Sequence, residues 1–333
     1  MNFKKIILII IAIAIVAFAG FFMFTGRDNR NEDSKKIKIV SSNFASYDFL
    51  RAIIGDNENV ELIFLLGPGK DAHSYDPTAQ DLIKIQNADL FVYIGGEMEK
   101  WSGKVLDSLE DSDNKIICIA DDIETIEEKE VDGAEEEEEH DHEHKDNEHD
   151  GEHEEGAFDE HIWTSPANAI KMVQTLEKTM EEIDSENANK YKENSEKYID
   201  QIKEVDKKIQ NIVDNKKRDR LVFGDKMPMQ YFVDYYKLKV SAAFNGCSTE
   251  TEPSASTIAY LENKVKEENI PVVLYVELNP GKVAKIIATE AGNGCEAMQI
   301  QALHNVTLDD FQNGETWVSL MERNVDVLKK ALQ

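Results

Sequence analysis

The alternation of short apolar runs with amphipathic stretches constrains the fold of this chain more than any other feature of its sequence. Runs rich in β-branched and aromatic residues at 37–40, 60–66, 90–94 and 116–120 are separated by helix-like stretches at 47–54, 79–87 and 98–109. A second series follows, with elements at 221–224, 228–236, 239–244, 254–268, 272–276, 281–291, 297–302 and 316–332. Strands that alternate with helices form mainly parallel sheets covered on both faces. Between the two series, Ser165 and Pro166 open a helical region, Pro being suited to a first turn. Ile170, Val173, Leu176, Met180 and Ile183 recur there at helical spacing, and Tyr191, Tyr198, Ile202, Val205, Ile209 and Ile212 continue it. A helix of some 25 residues from about position 187 measures about 40 Å, longer than one lobe needs. The expected fold is α/β: two lobes, each with a mainly parallel sheet flanked by helices, joined by one long rigid helix, with a cleft between them. The first lobe is expected over 37–165, the helical region with the linker over 166–217, and the second lobe over 218–333.

The charge of the chain is concentrated in one insert. Of a formal net charge of −29, most falls within 121–160, where 22 acidic side chains face only Lys129 and Lys145. Such a composition cannot form a core, so a disordered loop is expected over 121–157. A chain of this charge is repelled by nucleic acid, because binding phosphates needs Lys and Arg to displace counterions. Plain acidic runs do not need histidine, yet this one carries His140, His142, His144, His149 and His153. Imidazoles and carboxylates at close spacing are the mark of weak, multi-site metal collection. Binding of that kind is pH-sensitive, since an imidazole must be neutral to coordinate.

At the start of the chain, Lys4 and Lys5 precede 19 uncharged residues, 6–24. A cleaved signal has an apolar stretch of roughly 7–15 residues and a spanning helix about 20, so length favours an uncleaved anchor over 1–25. The basic end then stays in the cytoplasm and the remainder lies outside. Cleavage after Ala19 or Gly20, giving a secreted form, is the alternative. Residues 26–36 read as a polar tether. No cysteine precedes Cys118, which leaves no N-terminal cysteine for lipid attachment. Outside the cytoplasm Cys247 and Cys295 are candidates for a disulfide, with free thiols the alternative.

Three histidines lie outside the acidic insert, and each occupies a loop beside an expected element. His73 follows the run at 60–66, His161 precedes the helical region, and His304 follows the run at 297–302. Asp225 stands at the end of the run at 221–224. Ligands of open α/β sheets collect beyond the carboxyl ends of strands. Three imidazoles and one carboxylate converging there would make a closed four-coordinate zinc site. For any one loop histidine, a cap or surface role is the simpler reading; their shared location is what points to a metal.

The motifs around these residues resemble the zinc/manganese class, cluster A-I, of substrate-binding proteins that serve ABC metal importers. The resemblance rests on Gly69-Lys-Asp-Ala-His-Ser-Tyr-Asp-Pro77, Asn87-Ala-Asp-Leu-Phe-Val-Tyr93 with Trp101, the His-rich insert, and Asp159-Glu-His-Ile-Trp-Thr-Ser-Pro166. Gly246-Cys-Ser-Thr-Glu-Thr-Glu-Pro-Ser254, Leu303-His-Asn-Val306 and Met321-Glu-Arg-Asn324 are similar to a Gram-positive branch. The resemblance implies a metal held between two lobes, with His73 as the first-lobe ligand and His161 as the next. It places a third ligand in Phe223-Gly-Asp-Lys-Met-Pro-Met-Gln-Tyr231, where counting back from Tyr231 reaches Lys226. A charged lysine has no lone pair to give, so the neighbouring Asp225 is the candidate. A fourth ligand falls near His304, where relatives usually carry a carboxylate.

The implied function is capture of Zn²⁺ outside the cytoplasm and its delivery to an ABC transporter permease by a monomeric, non-enzymatic binding protein. Ligand softness favours zinc for an N₃O set; if His304 is only a loop residue, Asp225 with Glu250 or Glu252 gives N₂O₂, which suits Mn²⁺ or iron. Glu250 and Glu252 also read as acids near a helix start. A metalloenzyme needs an open coordination position and a base, and no His-Glu-x-x-His motif occurs. An extracellular metal buffer or adhesin is the remaining alternative.

Overall fold

The computed structural model describes residues 36–109, 114–134, 158–246 and 252–333. The expected anchor over 1–25, the five histidines of the acidic insert, Cys247 and Glu250 lie outside these residues. Among the described residues no helix is long and apolar enough to cross a membrane. Among the described residues Cys118 and Cys295 form no disulfide, and the candidate pairing of Cys295 with Cys247 falls outside them.

Two four-stranded sheets form, as the alternating pattern predicts. The first comprises β1 (Ile37–Ser41), β2 (Val60–Phe64), β3 (Leu90–Tyr93) and β4 (Lys115–Cys118), in the order β2-β1-β3-β4. The β1–β3 and β3–β4 pairs are parallel, with Val40 opposite Phe91 and Phe91 opposite Ile116. The second comprises β5 (Arg220–Lys226), β6 (Lys239–Phe244), β7 (Val272–Val276) and β8 (Glu296–Ile300), in the order β6-β5-β7-β8, with every pair parallel. Parallel strands need crossover connections, and helices supply them. In the first lobe Val40, Leu65, Ile85, Phe91 and Val105 pack into one core. In the second Val222, Phe244, Leu261, Val273 and Ile287 do the same.

Between the lobes run the helices Pro166–Ile183 and Ala188–Asp214, the latter of 27 residues. The longer one buries Tyr191, Tyr198, Ile202, Val205 and Ile209, a spacing that keeps one face against protein along its whole length. It packs on Phe44–Ile54 of the first lobe and on the last helix, Trp317–Leu332. The buried carboxylate of Asp48 joins all three elements. It accepts the Tyr198 hydroxyl, the Trp317 backbone N–H at 2.6 Å, and the guanidinium of Arg51. Burial raises its pKa, partly offset by Arg51 and these donors.

Two local expectations need correction. The single helix expected over 98–109 is a short 3₁₀ turn, Glu97–Glu99, followed by the helix Ser102–Asp107. Of the disordered loop expected over 121–157, residues 121–134 are instead placed, and 135–157 lie outside the described residues. Ile123 and Val131 are buried, and this segment crosses from the first lobe to the edge of the second sheet. Glu127 bridges Phe158, and Asp132 bridges Ser241 on β6. Asp132 also accepts Ser241 Oγ at 2.8 Å, Arg220 Nη1 at 2.9 Å and the Tyr260 hydroxyl. Further along, Lys129 N–H donates to Gln230 Oε1 at 3.0 Å, and Val131 N–H to Asn245 Oδ1 at 3.1 Å. Composition hid this strap: its acids outnumber its apolar residues, yet the few apolar ones find a core.

Candidate metal centre

Each of the three histidines is set by hydrogen bonds local to its own loop. His73 lies beyond β2, and its N–H donates to Asp71 Oδ1 at 2.9 Å, which closes a tight turn. His161 follows Asp159, whose Oδ1 accepts the His161 backbone N–H at 2.8 Å and pairs with Nδ1 at 2.9 Å. With the proton on Nδ1, the lone pair sits on Nε2, the arrangement typical of metal-ligating histidines. His304 lies beyond β8, after Leu303, whose φ of 64° turns the backbone sharply. Glu277, which immediately follows β7, holds that turn, its carboxylate accepting Ala302 N–H at 2.7 Å and His304 N–H at 2.8 Å.

The loops are also fastened to one another. Asn305 Nδ2 donates to the carbonyls of Gly67 at 2.8 Å and Lys70 at 2.7 Å, and Gly69 N–H donates to the Val306 carbonyl at 2.8 Å. Gly69 takes a φ of 77°, a left-handed conformation that glycine adopts without strain. Trp163 Nε1 donates to the Ala302 carbonyl at 2.9 Å, and Trp317 Nε1 to the Trp163 carbonyl at 3.0 Å. The Trp163 ring stands edge-on to both His161 and His304, with centroids 5.5 and 5.9 Å away. Gly246 leaves room beside His161, because a Cβ there would lie 3.4 Å from His161 Cε1 and 3.0 Å from the Met227 carbonyl.

These constraints bring three imidazoles together across the two lobes. One ligating nitrogen from each of His73, His161 and His304 falls within 4.8 Å of the others. His73 Nε2 lies 3.3 Å from His304 Nε2, and His304 Nε2 lies 2.5 Å from His161 Nε2. Nitrogens bound to a tetrahedral zinc at 2.0–2.1 Å are about 3.3 Å apart. The first pair has that spacing; the second must part by about 0.8 Å to admit an ion.

Electrostatics prepares two of the rings as neutral donors. Burial, with the neighbouring His161 and Lys226 charges, lowers the pKa of His73 to about 4. Burial, with His161, His73 and Lys226, holds His304 well below the usual range. His161 is fully buried, which disfavours its charged form, but Asp159 and the other nearby carboxylates outweigh burial and raise its pKa. Neutral imidazoles bind metal without first losing a proton, and the raised pKa of His161 makes that ring the one where metal competes most with a proton.

Asp225 is buried at the end of β5 and lines the same cavity as His73 and His304, but it does not join the imidazole cluster. Its Oδ2 has no hydrogen-bond partner among the described residues, and burial raises its pKa. Lys226 and Glu252 also line the cavity, Glu252 as an exposed residue. Asp159, Glu277 and Asn305 were not singled out as functional from sequence. Asp159 carries a legible signal, two residues before His161; Glu277 and Asn305 act through backbone groups distant in the chain, which no spacing rule reveals.

Comparisons with known proteins converge on one family. The family described as "Zinc-uptake complex component A periplasmic" (ZnuA) matches residues 39–331. The zinc-binding lipoprotein AdcA of Streptococcus pneumoniae is 31 % identical over 325 residues, 96 % of this chain and 60 % of that protein. The chain therefore spans about 60 % of the length of this relative. The high-affinity zinc uptake system protein ZnuA of Bacillus subtilis is 30 % identical over 302 residues, covering 90 % of this chain and 89 % of that one. The crystal structure of the Zn(II)-bound ZnuA-like domain of S. pneumoniae AdcA superposes with a TM-score of 0.71 at 26 % identity, covering 89 % of this chain and 99 % of that one.

Proposed function

Because the chain belongs to the family of zinc-uptake complex component A, we propose that it captures Zn²⁺ outside the cytoplasm and delivers it to the permease of an ABC importer. The observation that carries this reading is the convergence of His73, His161 and His304 from loops of both lobes, with their ligating nitrogens within 4.8 Å. Three nitrogen ligands suit zinc better than manganese, whose preference is for oxygen. Asp225 is the nearby carboxylate that can offset part of the ion's charge, with Glu252 at the cavity lining as an outer acid. Glu250 belongs to the same reading only as an alternative ligand. The chain acts as a binding protein rather than an enzyme, since its chemistry is reversible coordination of a cargo ion.

The remaining assignments follow from that role. His140, His142, His144, His149 and His153 collect metal weakly, as imidazoles and carboxylates at close spacing do. The apolar segment at 1–25 holds the protein at the outer face of the membrane, and the chain works as a monomer docking on its permease. The similarity to the zinc-binding lipoprotein AdcA and to the zinc uptake protein ZnuA supports this over a manganese carrier.

Competition titration against a chelator of known affinity tests the reading. One tight equivalent of Zn²⁺, retained when 135–157 are deleted, with much weaker Mn²⁺ binding, is the expected result. Loss of tight binding with the deletion would instead make the chain a buffer whose metal sits in the insert.

A further inference from the structure

A bare cation needs little space beyond its ligands, yet the cavity that His73 and His304 line has a volume of about 710 Å³. Pockets for small organic ligands are typically about 300–1,000 Å³. The lining has the mixed chemistry of such a pocket. Ile258, Val283 and Ile286 supply apolar surface, and Ile286 is 49 % exposed. Lys226 and Lys282 supply ammonium groups. Asp225, only 6 % exposed, supplies a carboxylate whose Oδ2 has no hydrogen-bond partner among the described residues.

The charge of the site leads to the same conclusion. Three neutral imidazoles offset none of a bound dication's charge, and Asp225, which lines the cavity without joining the cluster, offsets it only in part, so the ion dominates local electrostatics. Lys226, which lines the same cavity as His73 and His304, adds a further positive charge. Zinc in a protein is almost always four-coordinate, and the described cluster supplies three ligands. An anion that binds the metal and faces Lys226 would complete the coordination and neutralise both charges.

We propose that the chain binds its cation as a ternary complex with a small carboxylate chelator. The chelator's donors fill the coordination left by His73, His161 and His304, its carboxylate faces Lys226, and its carbon skeleton lies on Ile258, Val283 and Ile286. Asp225 accepts an N–H or O–H of the same ligand. The inference rests on the zinc-capture reading above and adds the form in which the ion arrives.

Equilibrium dialysis of the full chain in mild detergent tests it, with one equivalent of Zn²⁺ and radiolabelled L-histidine, citrate or acetate. Histidine offers nitrogen and oxygen donors, citrate oxygen donors alone, and acetate is the non-chelating control. The expected result is one equivalent of histidine or of citrate retained only when zinc is present, with acetate not retained; whichever is held identifies the donor class. Lys226→Met is expected to reduce chelator retention at least tenfold while tightening the binding of zinc alone, since it removes a repulsive charge. Lys226→Arg is expected to restore retention. Zinc bound by the wild-type chain with neither chelator retained would overturn the ternary complex and leave zinc capture standing. Retention without zinc, or equal retention by Lys226→Met, would overturn it as well. Failure of the wild-type chain to bind zinc at all would instead overturn the zinc-capture reading.

Discussion

A single carboxylate oxygen, Asp159 Oδ1, pairs with both the backbone N–H and the ring Nδ1 of His161, at 2.8 and 2.9 Å. The two residues are both fully buried, so the ring has one orientation and one tautomer available, with Nε2 turned toward His304. Removing the carboxylate charge while keeping its shape should weaken that preference. Outer partners of metal-bound histidines typically contribute about 10–100-fold in affinity. Asp159→Asn is therefore expected to weaken Zn²⁺ binding about 10–100-fold, measured by chelator competition, with the circular dichroism spectrum unchanged.

Proton release follows from the unequal environments of the three rings. His73, with a pKa lowered to about 4, and His304, held lower than usual, are neutral at pH 7, whereas His161 is raised. Calorimetry at pH 7 in buffers of different ionisation enthalpy is expected to show up to about one proton released per zinc, from His161. In Asp159→Asn the release should fall toward zero. Release of two or more protons would mean that His73 and His304 are charged before loading.

The stability of the metal-free protein should depend on pH in a defined sense. The folded-state pKa of His73 lies below its usual 6.5, so its protonation favours the unfolded chain. Its contribution is intact above about pH 6.5 and declines as pH falls from there to about 4. His161 acts oppositely: its raised pKa contributes stability below about pH 6.5 that is lost as pH rises through the folded value. Replacing His73 by Gln should flatten the acid side of the melting-temperature profile measured between pH 4 and 6.5, and replacing His161 by Gln should flatten the alkaline side.

Trp163 reports on the site and supports it. Its ring stands edge-on to His161 and His304, and its indole N–H holds the Ala302 carbonyl at 2.9 Å. Zinc binding should change tryptophan fluorescence, and Trp163→Phe should abolish most of that change. The lost hydrogen bond is expected to cost about 1 kcal/mol in thermal or denaturant unfolding.

Asp48 ties the long helix to both lobes from a fully buried position. Asp48→Ala leaves the Trp317 N–H, the Tyr198 hydroxyl and the Arg51 guanidinium without their shared acceptor. Leaving a buried donor such as the Trp317 N–H or the Tyr198 hydroxyl unsatisfied typically costs about 1–3 kcal/mol, and urea unfolding should show a loss of at least that order.

Much of this architecture is legible in the sequence because it depends on local periodicity. The αβ alternation produces the two sheets, and the spacing from Tyr191 to Ile212 produces the 27-residue helix. His73, His161 and His304 are recognisable because each falls at the end of an element, where α/β sheets place ligands. The strap at 121–134 is not legible, since its fold depends on β6 and Tyr231, distant in sequence; Tyr231 accepts Ile126 N–H at 3.1 Å. Asn305 is hidden for the same reason, because its partners are carbonyls at Gly67 and Lys70 rather than side chains with a motif. The neighbourhood of Asp225 is legible from its place at the end of β5, but only three-dimensional structure separates lining the cavity from joining the imidazoles.

The central claim is that one ion sits among His73, His161 and His304. The zinc K-edge absorption spectrum of the full chain loaded with one equivalent tests it most directly. Three imidazole nitrogens at about 2.0–2.1 Å are expected, falling to two in each of the single alanine variants of these histidines. A spectrum of mostly oxygen neighbours, or one that the three variants leave unchanged, would place the ion elsewhere and contradict the account.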